Sequence, residues 1–548
     1  MTDYLRCNRL RVTAALHQFI EQQVLPGTLI DRETFWEGLD DLLQDLAPLH
    51  RDLLAERERV QLALSEWHKA HCPPEPGAWR SFLEQLGYPQ ACSQLVRIST
   101  ASVDMEISDQ SGPQLLAAGH DAQAVVNAAS ARWGSLYDAL YYSDAVAQQQ
   151  GYELDAQYNP QRGAKVVVQV REWFDQVIPL SSGSHVNARH YRVRHAQLSV
   201  TLANGEETGL QRPEQFLGHQ GQALQPNALL FGHHRLHVDV RIDPQSRAGG
   251  CDVAGISDVL LEAALTAWID ISTPLRTREL DGYANWLSLM KGQALQPDQT
   301  WQGAAGGELK LPGRALSLLH INGLARHNPA LLDAHGQPVA QLILDAVLGS
   351  LIALHDLQRR GNSRSGSIYL SVPGLEGVQE VAFVDLLFGR IETLLGLAAQ
   401  TLKLGLTDEH WRTSLNLEAC IHAAAARTAL LHSGAVDWRN ALATTPWQRL
   451  AERRTVPVAL ACGLRGRAQI SKGLWNQPEH MAALLEAGIE PLQQGASGML
   501  VCTPIAATLH ALHHHQVDVA EVQRAIEQDN LQQHCASLLD ECCSQPIA

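Results

Sequence analysis

Residues 401–438, TLKLGLTDEHWRTSLNLEACIHAAAARTALLHSGAVDW, decide how the rest of the 548-residue chain is read. The first piece is a short apolar strand that ends on the acidic pair Asp408 and Glu409. A helix follows, with Leu415, Leu417, Ile421 and Ala424 at helical intervals, and a second apolar strand, ALLHSGAVD, ends on Asp437. Strand, helix and strand, with each strand ending in a carboxylate, is how a parallel α/β barrel presents groups at its C-terminal face. Glu409 and Asp437 stand about one βα repeat apart. Two carboxylates on neighbouring strand ends can hold one hard cation such as Mg²⁺, whose other positions are filled by water and substrate oxygens. Strand ends and helix caps also attract acids for structural reasons. Spacing by itself leaves both readings open.

Outward from this stretch the alternation continues through ALSLLHING, ILDAVLGSLIALHDL, SGSIYLSVPG, VAFVDLLFGRIETLLGL, VALACGL and GMLVCTPIAATLHALHHH. It favours an α/β fold, a TIM (β/α)8 barrel whose main segment is residues 313–515, with earlier barrel segments at 93–145 and 253–289. In the second of these, ISDVLLEAALTAWID shows helical apolar periodicity. Residues 1–92 read as an N-terminal helical clasp. Residues 146–252 read as an inserted, mainly β (α/β) domain, with KVVVQV, HYRVRHAQLSVTLANGEET and LHVDVRID as its strand-like runs and Asn204-Gly205 as a hairpin turn. The Gly/Pro/Gln-rich residues 290–312 are the remainder of that insertion. Residues 516–548 read as a C-terminal helix and tail.

With 45% hydrophobic residues the chain supports several cores, and a net charge of −16 without a Lys/Arg cluster argues against a nucleic-acid partner. No signal-like apolar start and no run of about twenty apolar residues is present, so the expectation is a cytoplasmic protein with no membrane contact. Ten cysteines lack CxxC spacing and are expected as thiols. His510 and His514 have the i, i+4 spacing of a zinc pair, but no HExxH pattern accompanies them. His233, His234 and His237 read as exposed or edge residues of a strand. The loop SRSGS, Ser363 to Ser367, has polar groups for a phosphate without Walker spacing, and more naturally caps a barrel strand. Arg132 and Trp133 read equally as CoA contacts or as anchors of the clasp. Arg465, Arg467 and Lys472 form the best local basic group.

NAASARWGSLYDALYYSD, GNSRSGSIYL, TLKLGLTDEHWRTSLNLEACI, CGLRGRAQISKGLW and TPIAATLHALHHHQVDV together closely resemble the malate synthase G family, and VLPGTLIDRETFW resembles its N-terminal clasp. The resemblance implies a TIM barrel with a clasp, an inserted α/β domain and a C-terminal plug domain. It also implies a Mg²⁺-dependent condensation of acetyl-CoA with glyoxylate through an enolate, with release of CoA and malate. By position, the metal ligands fall on Glu409 and Asp437. The turn whose backbone amides seat the glyoxylate carboxylate falls on Gly434, Ala435 and Val436. In the CoA region Pro504 and His510 match.

The departures are as informative. His320 stands where the family has its enolate-stabilising arginine, and an imidazole lacks the guanidinium's fork and permanent charge. The family's acidic CEDS cluster falls on Ile271, Ser272, Thr273 and Pro274, with Asp270 kept before it. The basic KPKMHG loop reads VPGLEG, Val372 to Gly377. No residue matches the aspartate base, which belongs to the plug domain. The expectation is therefore a malate synthase-like enzyme for an acyl-CoA and a small oxo acid, with His320 as stabiliser or base. The alternatives are a catalytically degenerate homologue that serves as a binding or partner module, and a split enzyme that takes the plug from a separate polypeptide.

Overall fold

The computed structural model describes residues 3–71, 76–90, 98–149, 151–272, 280–292, 296–408, 410–433, 459–462, 481–493 and 495–528. Eight parallel strands close into a barrel: β1 (Gln114–Ala118), β2 (Thr266–Asp270), β3 (Leu316–His320), β4 (Ile368–Val372), β5 (Leu402–Asp408), β6 (Thr428–Ser433), β7 (Ala459–Cys462) and β8 (Gly498–Val501). Each pairs with the next in chain order, and β8 returns to β1. Side chains alternate between two apolar layers, which is why these strands read as nearly unbroken apolar runs. Trp268, Leu316, Leu318, Tyr369 and Leu430 fill the barrel. Leu319, Leu370, Leu402, Leu404 and Leu406 face the surrounding helices.

Five helices matter for the site: α1 (Arg32–Ala70), α2 (Pro160–Val177), α3 (Gln341–Leu357), α4 (Val378–Leu394) and α5 (Pro504–Gln516). The clasp helix α1 starts at Asp31, whose carboxylate accepts from the backbone N–H of Glu33 and Thr34. It buries Phe35, Leu39, Leu42, Leu43 and Leu46. Gly349 lets α3 lie close on β3, since a Cβ there would come within 2.5 Å of Leu319 Cδ2. No helix among the described residues is long and apolar enough to cross a membrane.

The insertion carries a seven-stranded antiparallel sheet. Strands Gln225–His233, Leu236–Ile242 and Ile256–Glu262 lie in its middle, and Gln299–Gly303 and Glu308–Leu311 join it at one side. A second sheet has Ala188–Arg194, Gln197–Leu202 and Glu207–Thr208, with Gly205 at φ +85° in the turn before the last strand.

Three local readings are corrected. KVVVQV lies inside α2, because Asn159 caps the helix, Pro160 opens it, and Val166, Val170, Phe174 and Val177 fall on one buried face. ISDVLLEAALTAWID is two strands, Ile256–Glu262 and β2. In β2 burial on both faces removes the alternation that marks a strand, and in Ile256–Glu262 the partly buried face carries apolar Leu260 between buried Val259 and Leu261, which blurs it. The clasp is not helical throughout. Tyr4–Cys7 pairs with Leu10–Thr13 in a hairpin that turns at Asn8 with φ 55°, and it joins His327–Leu332 and Pro338–Ala340 in a four-stranded sheet.

The SRSGS loop already holds an anion, and it comes from the chain. The buried Asp104 carboxylate accepts from Ser363 Oγ (2.6 Å), Arg364 N (2.7 Å), Ser365 N (2.9 Å), Ser365 Oγ (2.7 Å) and Tyr369 OH (2.8 Å). The loop leads into β4 at the N-terminal end of the barrel, the face opposite the one at which barrel strands present catalytic groups. Removing the carboxylate leaves several buried donors without an acceptor, so Asp104→Ala is expected to cost about 3 kcal/mol or more. A lowered urea midpoint, with unchanged slope, checks it.

Candidate active site

The C-terminal ends of the barrel strands define the mouth, and the register sets which side chains look inward. Asp270 pairs with His320, His320 with Ser371, and Thr407 with His432. Trp268, Leu318 and Leu430 belong to the barrel interior. One period-two step toward the mouth from each stand Asp270, His320 and His432. The Trp268 ring lies 5.9 Å from His320 and 5.3 Å from His432, centroid to centroid. His320 Nδ1 is 3.1 Å from Ser371 Oγ, which orients the imidazole. His432 went unnoticed in the sequence; the alternation of β6, extended from Leu430, is the signal that would have found it.

Asp270 accepts at Oδ1 from Ser272 N (2.8 Å) and Ser272 Oγ (2.6 Å). Asp408, at the end of β5, is buried and accepts from Ser414 Oγ at 2.5 Å. Among the described residues no group of three or more His, Cys, Asp and Glu side chains converges as a cation would require. Glu409, Asp437 and the turn Gly434, Ala435 and Val436 lie outside the described residues, as do Arg465, Arg467 and Lys472. β5 and β6 are hydrogen-bonded parallel neighbours, and they end at Asp408 and Ser433.

The VPGLEG loop is tied to the clasp. Arg57 of α1 donates to Glu380 Oε1 and Oε2 (2.5 and 2.6 Å) and to the Gly374 carbonyl (2.7 Å), and lies 3.1 Å from Glu376. Pro504 opens α5 immediately after β8, exposed, with Thr503 Oγ accepting from Ala506 N.

Arg132 is not available to CoA, and it does not anchor the clasp. Its side chain is 1% exposed. It bonds Glu262 Oε1 (2.9 and 2.5 Å), Glu106 Oε1 (2.6 Å) and the Arg314 carbonyl (3.3 Å), so a ligand would have to displace an acid. Trp133 Nε1 donates to the Pro312 carbonyl at 2.9 Å. Burial by itself would raise the Glu262 carboxyl, but Arg132 and His237 override it and hold it at about 2.

The histidine run packs inward, and among the described residues it is part of no cluster of three or more His, Cys, Asp and Glu side chains that could hold a metal ion. His510, His513, His514 and His515 of α5 are buried. His510 Nδ1 lies 2.9 Å from His513 Nδ1, His233 Nδ1 lies 3.3 Å from His515 Nδ1, and His234 Nδ1 reaches the His514 carbonyl at 2.9 Å. His237 pairs with Glu262 at 2.7 Å. These strand histidines are therefore not edge residues. They join the insertion to the barrel.

Burial depresses the pKa of every histidine in this group that shifts: His233 to about 4, His514 to about 3, and His510, His513 and His515 below the ordinary value. The unfolded chain therefore takes up protons first as pH falls below about 6.5, and stability is lost on the way down toward pH 4 and 3. The slope is about 1.4 kcal/mol per pH unit for each histidine. Asp239 and Asp258, raised to about 6 by burial, act in the opposite sense. Over the described residues, ten histidines depressed by burial outweigh four raised carboxyls, Asp138 and Asp345 among them. The melting temperature is expected to fall steadily from pH 7 to pH 5, and His514→Phe is expected to flatten that fall.

A cleft of about 1350 Å³ lies between the two sheets of the insertion rather than at the barrel mouth. Of its cations, Arg194 pairs with Glu207 (2.8 Å) and Arg241 with Asp239.

A closed eight-stranded barrel with a clasp, an inserted antiparallel domain and a polar mouth is the architecture of the malate synthases, and family descriptions match it piece by piece. The malate synthase N-terminal domain matches residues 15–76, the malate synthase G alpha-beta insertion domain residues 158–233, and the malate synthase TIM barrel domain residues 322–445. Malate synthase G of Halalkalibacterium halodurans is 38% identical over 96% of this chain and 78% of its own length. That of Corynebacterium glutamicum is 36% identical over 95% and 76%. The chain belongs to the malate synthase G family. A solved Haloferax volcanii malate synthase, in a lead(II) complex, matches at 15% identity with a TM-score of 0.29, covering 45% of this chain and 64% of that one.

Proposed function

We propose that this protein condenses acetyl-CoA with glyoxylate to malyl-CoA, whose thioester water then cleaves to release malate and CoA. The observation that carries the reading is 38% identity to a malate synthase G across 96% of the chain. Glu409 and Asp437 would hold a Mg²⁺ ion, and the chemistry that ion supplies when bound is Lewis-acid polarisation of the aldehyde. The backbone amides of Gly434, Ala435 and Val436 would seat the oxo-acid carboxylate. Trp268, Leu318 and Leu430 keep water out of the barrel below the mouth. His320, held by Ser371, would present an imidazole N–H to the thioester carbonyl. The proton leaving the acetyl methyl would go to a carboxylate base of the plug type, and Pro504 at the start of α5 would border the CoA. The protein would act without nucleic acid or membrane.

Purified protein mixed with acetyl-CoA, glyoxylate and Mg²⁺ is expected to release free thiol in proportion to glyoxylate consumed. The assay is run with and without a family plug domain added in trans. No thiol under either condition would remove the reading.

A further inference from the structure

The cleft between the two sheets of the insertion holds opposite charges on its two walls. One wall is the strand Ala188–Arg194. Tyr191 and Val193 pack into the core, so the strand's alternation puts His190, Arg192 and Arg194 on the other face, and all three line the cleft. Arg194 Nη1 lies 2.8 Å from Glu207 Oε2, and Arg192 Nη1 lies 3.8 Å from Glu207 Oε1. Two guanidiniums therefore share one carboxylate, and Arg192 stands beyond hydrogen-bond range of it. One positive charge on this wall is left without a counter-charge.

The facing wall, on the seven-stranded sheet and the turn after Leu236–Ile242, carries Arg241, Asp243 and Asp258. Arg241 is neutralised by buried Asp239, and its guanidinium lies 5.7 Å from the centre of the Trp301 ring. Asp243 and Asp258 meet only neutral donors. Asp243 Oδ1 accepts from Gln245 N at 3.0 Å, and Asp258 Oδ1 accepts from Ser135 Oγ (2.8 Å) and Val259 N (2.7 Å). Among the described residues neither carboxylate forms an ion pair. Burial pushes the Asp258 carboxyl up to about 6, and no cation beside it offsets that rise.

The scaffold thus keeps a surplus cation and two uncompensated carboxylates on opposite walls of a space of about 1350 Å³. Such an arrangement sets a field across the cleft and favours a ligand that carries both charges. Leu224, Pro226 and Leu260 also line the space and offer apolar surface to a spacer between the charged ends. Small-molecule pockets commonly measure about 300–1,000 Å³, so a ligand of that kind fits with water around it.

We propose that this cleft binds a small amino-acid zwitterion, with a carboxylate at one end on Arg192 and Arg194 and an ammonium at the other on Asp243 and Asp258. The site is separate from the barrel mouth and does not depend on the condensation reading. A guanidinium presents parallel N–H donors to a carboxylate, and an ammonium has three donors for two acids. A purely anionic ligand is repelled by one wall and a purely cationic ligand by the other.

Calorimetric titration of the full chain with ε-aminocaproate, caproate and hexylamine tests this. The three share a chain length and differ in which charges they carry. Saturable binding of ε-aminocaproate is expected, with caproate and hexylamine weaker by about ten-fold or more, the scale of one charged hydrogen bond. Arg194→Gln and Asp243→Asn alter exposed side chains and should leave the fold intact. Each should weaken ε-aminocaproate by about five-fold. Their effects on the single-charge probes should have opposite signs: Asp243→Asn tightens caproate, and Arg194→Gln tightens hexylamine. Absence of saturable ε-aminocaproate binding overturns the proposal. So does equal affinity for caproate or hexylamine, or an affinity that neither substitution changes, which would put the bound molecule elsewhere.

Discussion

Glu409→Ala is expected to abolish saturable Mg²⁺ binding and to lower thiol release by about 10³-fold, the scale of the several kcal/mol that a Lewis acid contributes to a transition state. Mg²⁺ is usually held by one or two protein carboxylates, with water and substrate oxygens completing its octahedron. Losing one of a pair leaves Asp437 as the single anchor. Asp408 is a poor substitute, because its carboxylate is buried against Ser414 Oγ. Asp437→Asn is expected to act in the same direction with a smaller effect, since an amide oxygen still coordinates weakly. Calorimetric titration with Mg²⁺ and a thiol assay across metal concentration check both. Unchanged metal affinity in Glu409→Ala would place the cation elsewhere.

Arg132→Ala is expected to destabilise the fold by about 3–5 kcal/mol, the usual result of leaving a buried charge without its partner. Net stabilities are only about 5–15 kcal/mol, so the variant should lose much of its folded population near physiological temperature. The cost is concentrated at Glu262, which is 0% exposed. In wild type it sits at about 2, so its contribution to stability is complete above the ordinary carboxylate range and lost only as pH falls toward 2. Without Arg132, burial dominates and the folded-state value rises. That contribution is then intact only at low pH and disappears as pH rises through the new value. The damage should therefore be greater at pH 7 than at pH 4.5. The double variant Arg132→Met, Glu262→Leu should regain most of the loss, because an apolar pair of similar volume needs no compensation. Urea denaturation of the two variants at both pH values checks this. A single variant as stable as wild type would mean that Glu106 and His237 suffice without the guanidinium.

The barrel is legible because each βα repeat writes its own pattern: an apolar run, a turn, and a 3.6-period helix. The ends of β5 and β6 follow from TLKLGLTD and TALLHS. The insertion is legible in its strands and in Asn204-Gly205, where backbone sterics require a left-handed residue and Gly205 supplies it. KVVVQV deceives because three consecutive valines raise strand propensity, while Asn159, Pro160 and the apolar face shared with Phe174 decide for helix. The two strands around Glu262 deceive in the opposite direction: β2 is buried on both faces, and Ile256–Glu262 carries apolar Leu260 on its partly buried face, so neither alternates cleanly.

What the sequence by itself determined is local and periodic: the barrel repeats, the clasp helix and the turn residues. These follow from backbone sterics and from the burial of apolar faces, which act over a few residues. Only the tertiary structure decided that Asp104 fills the SRSGS loop, that Arg132 belongs to Glu262, that His233 meets His515, and that Arg326 bridges Ser272 and Asn322. Apart from the Arg326–Asn322 bond, each of these pairs joins segments far apart in the chain. The closure of the barrel and the docking of the insertion bring them into contact. Desolvation at that contact then selects the partner, and no local pattern records it.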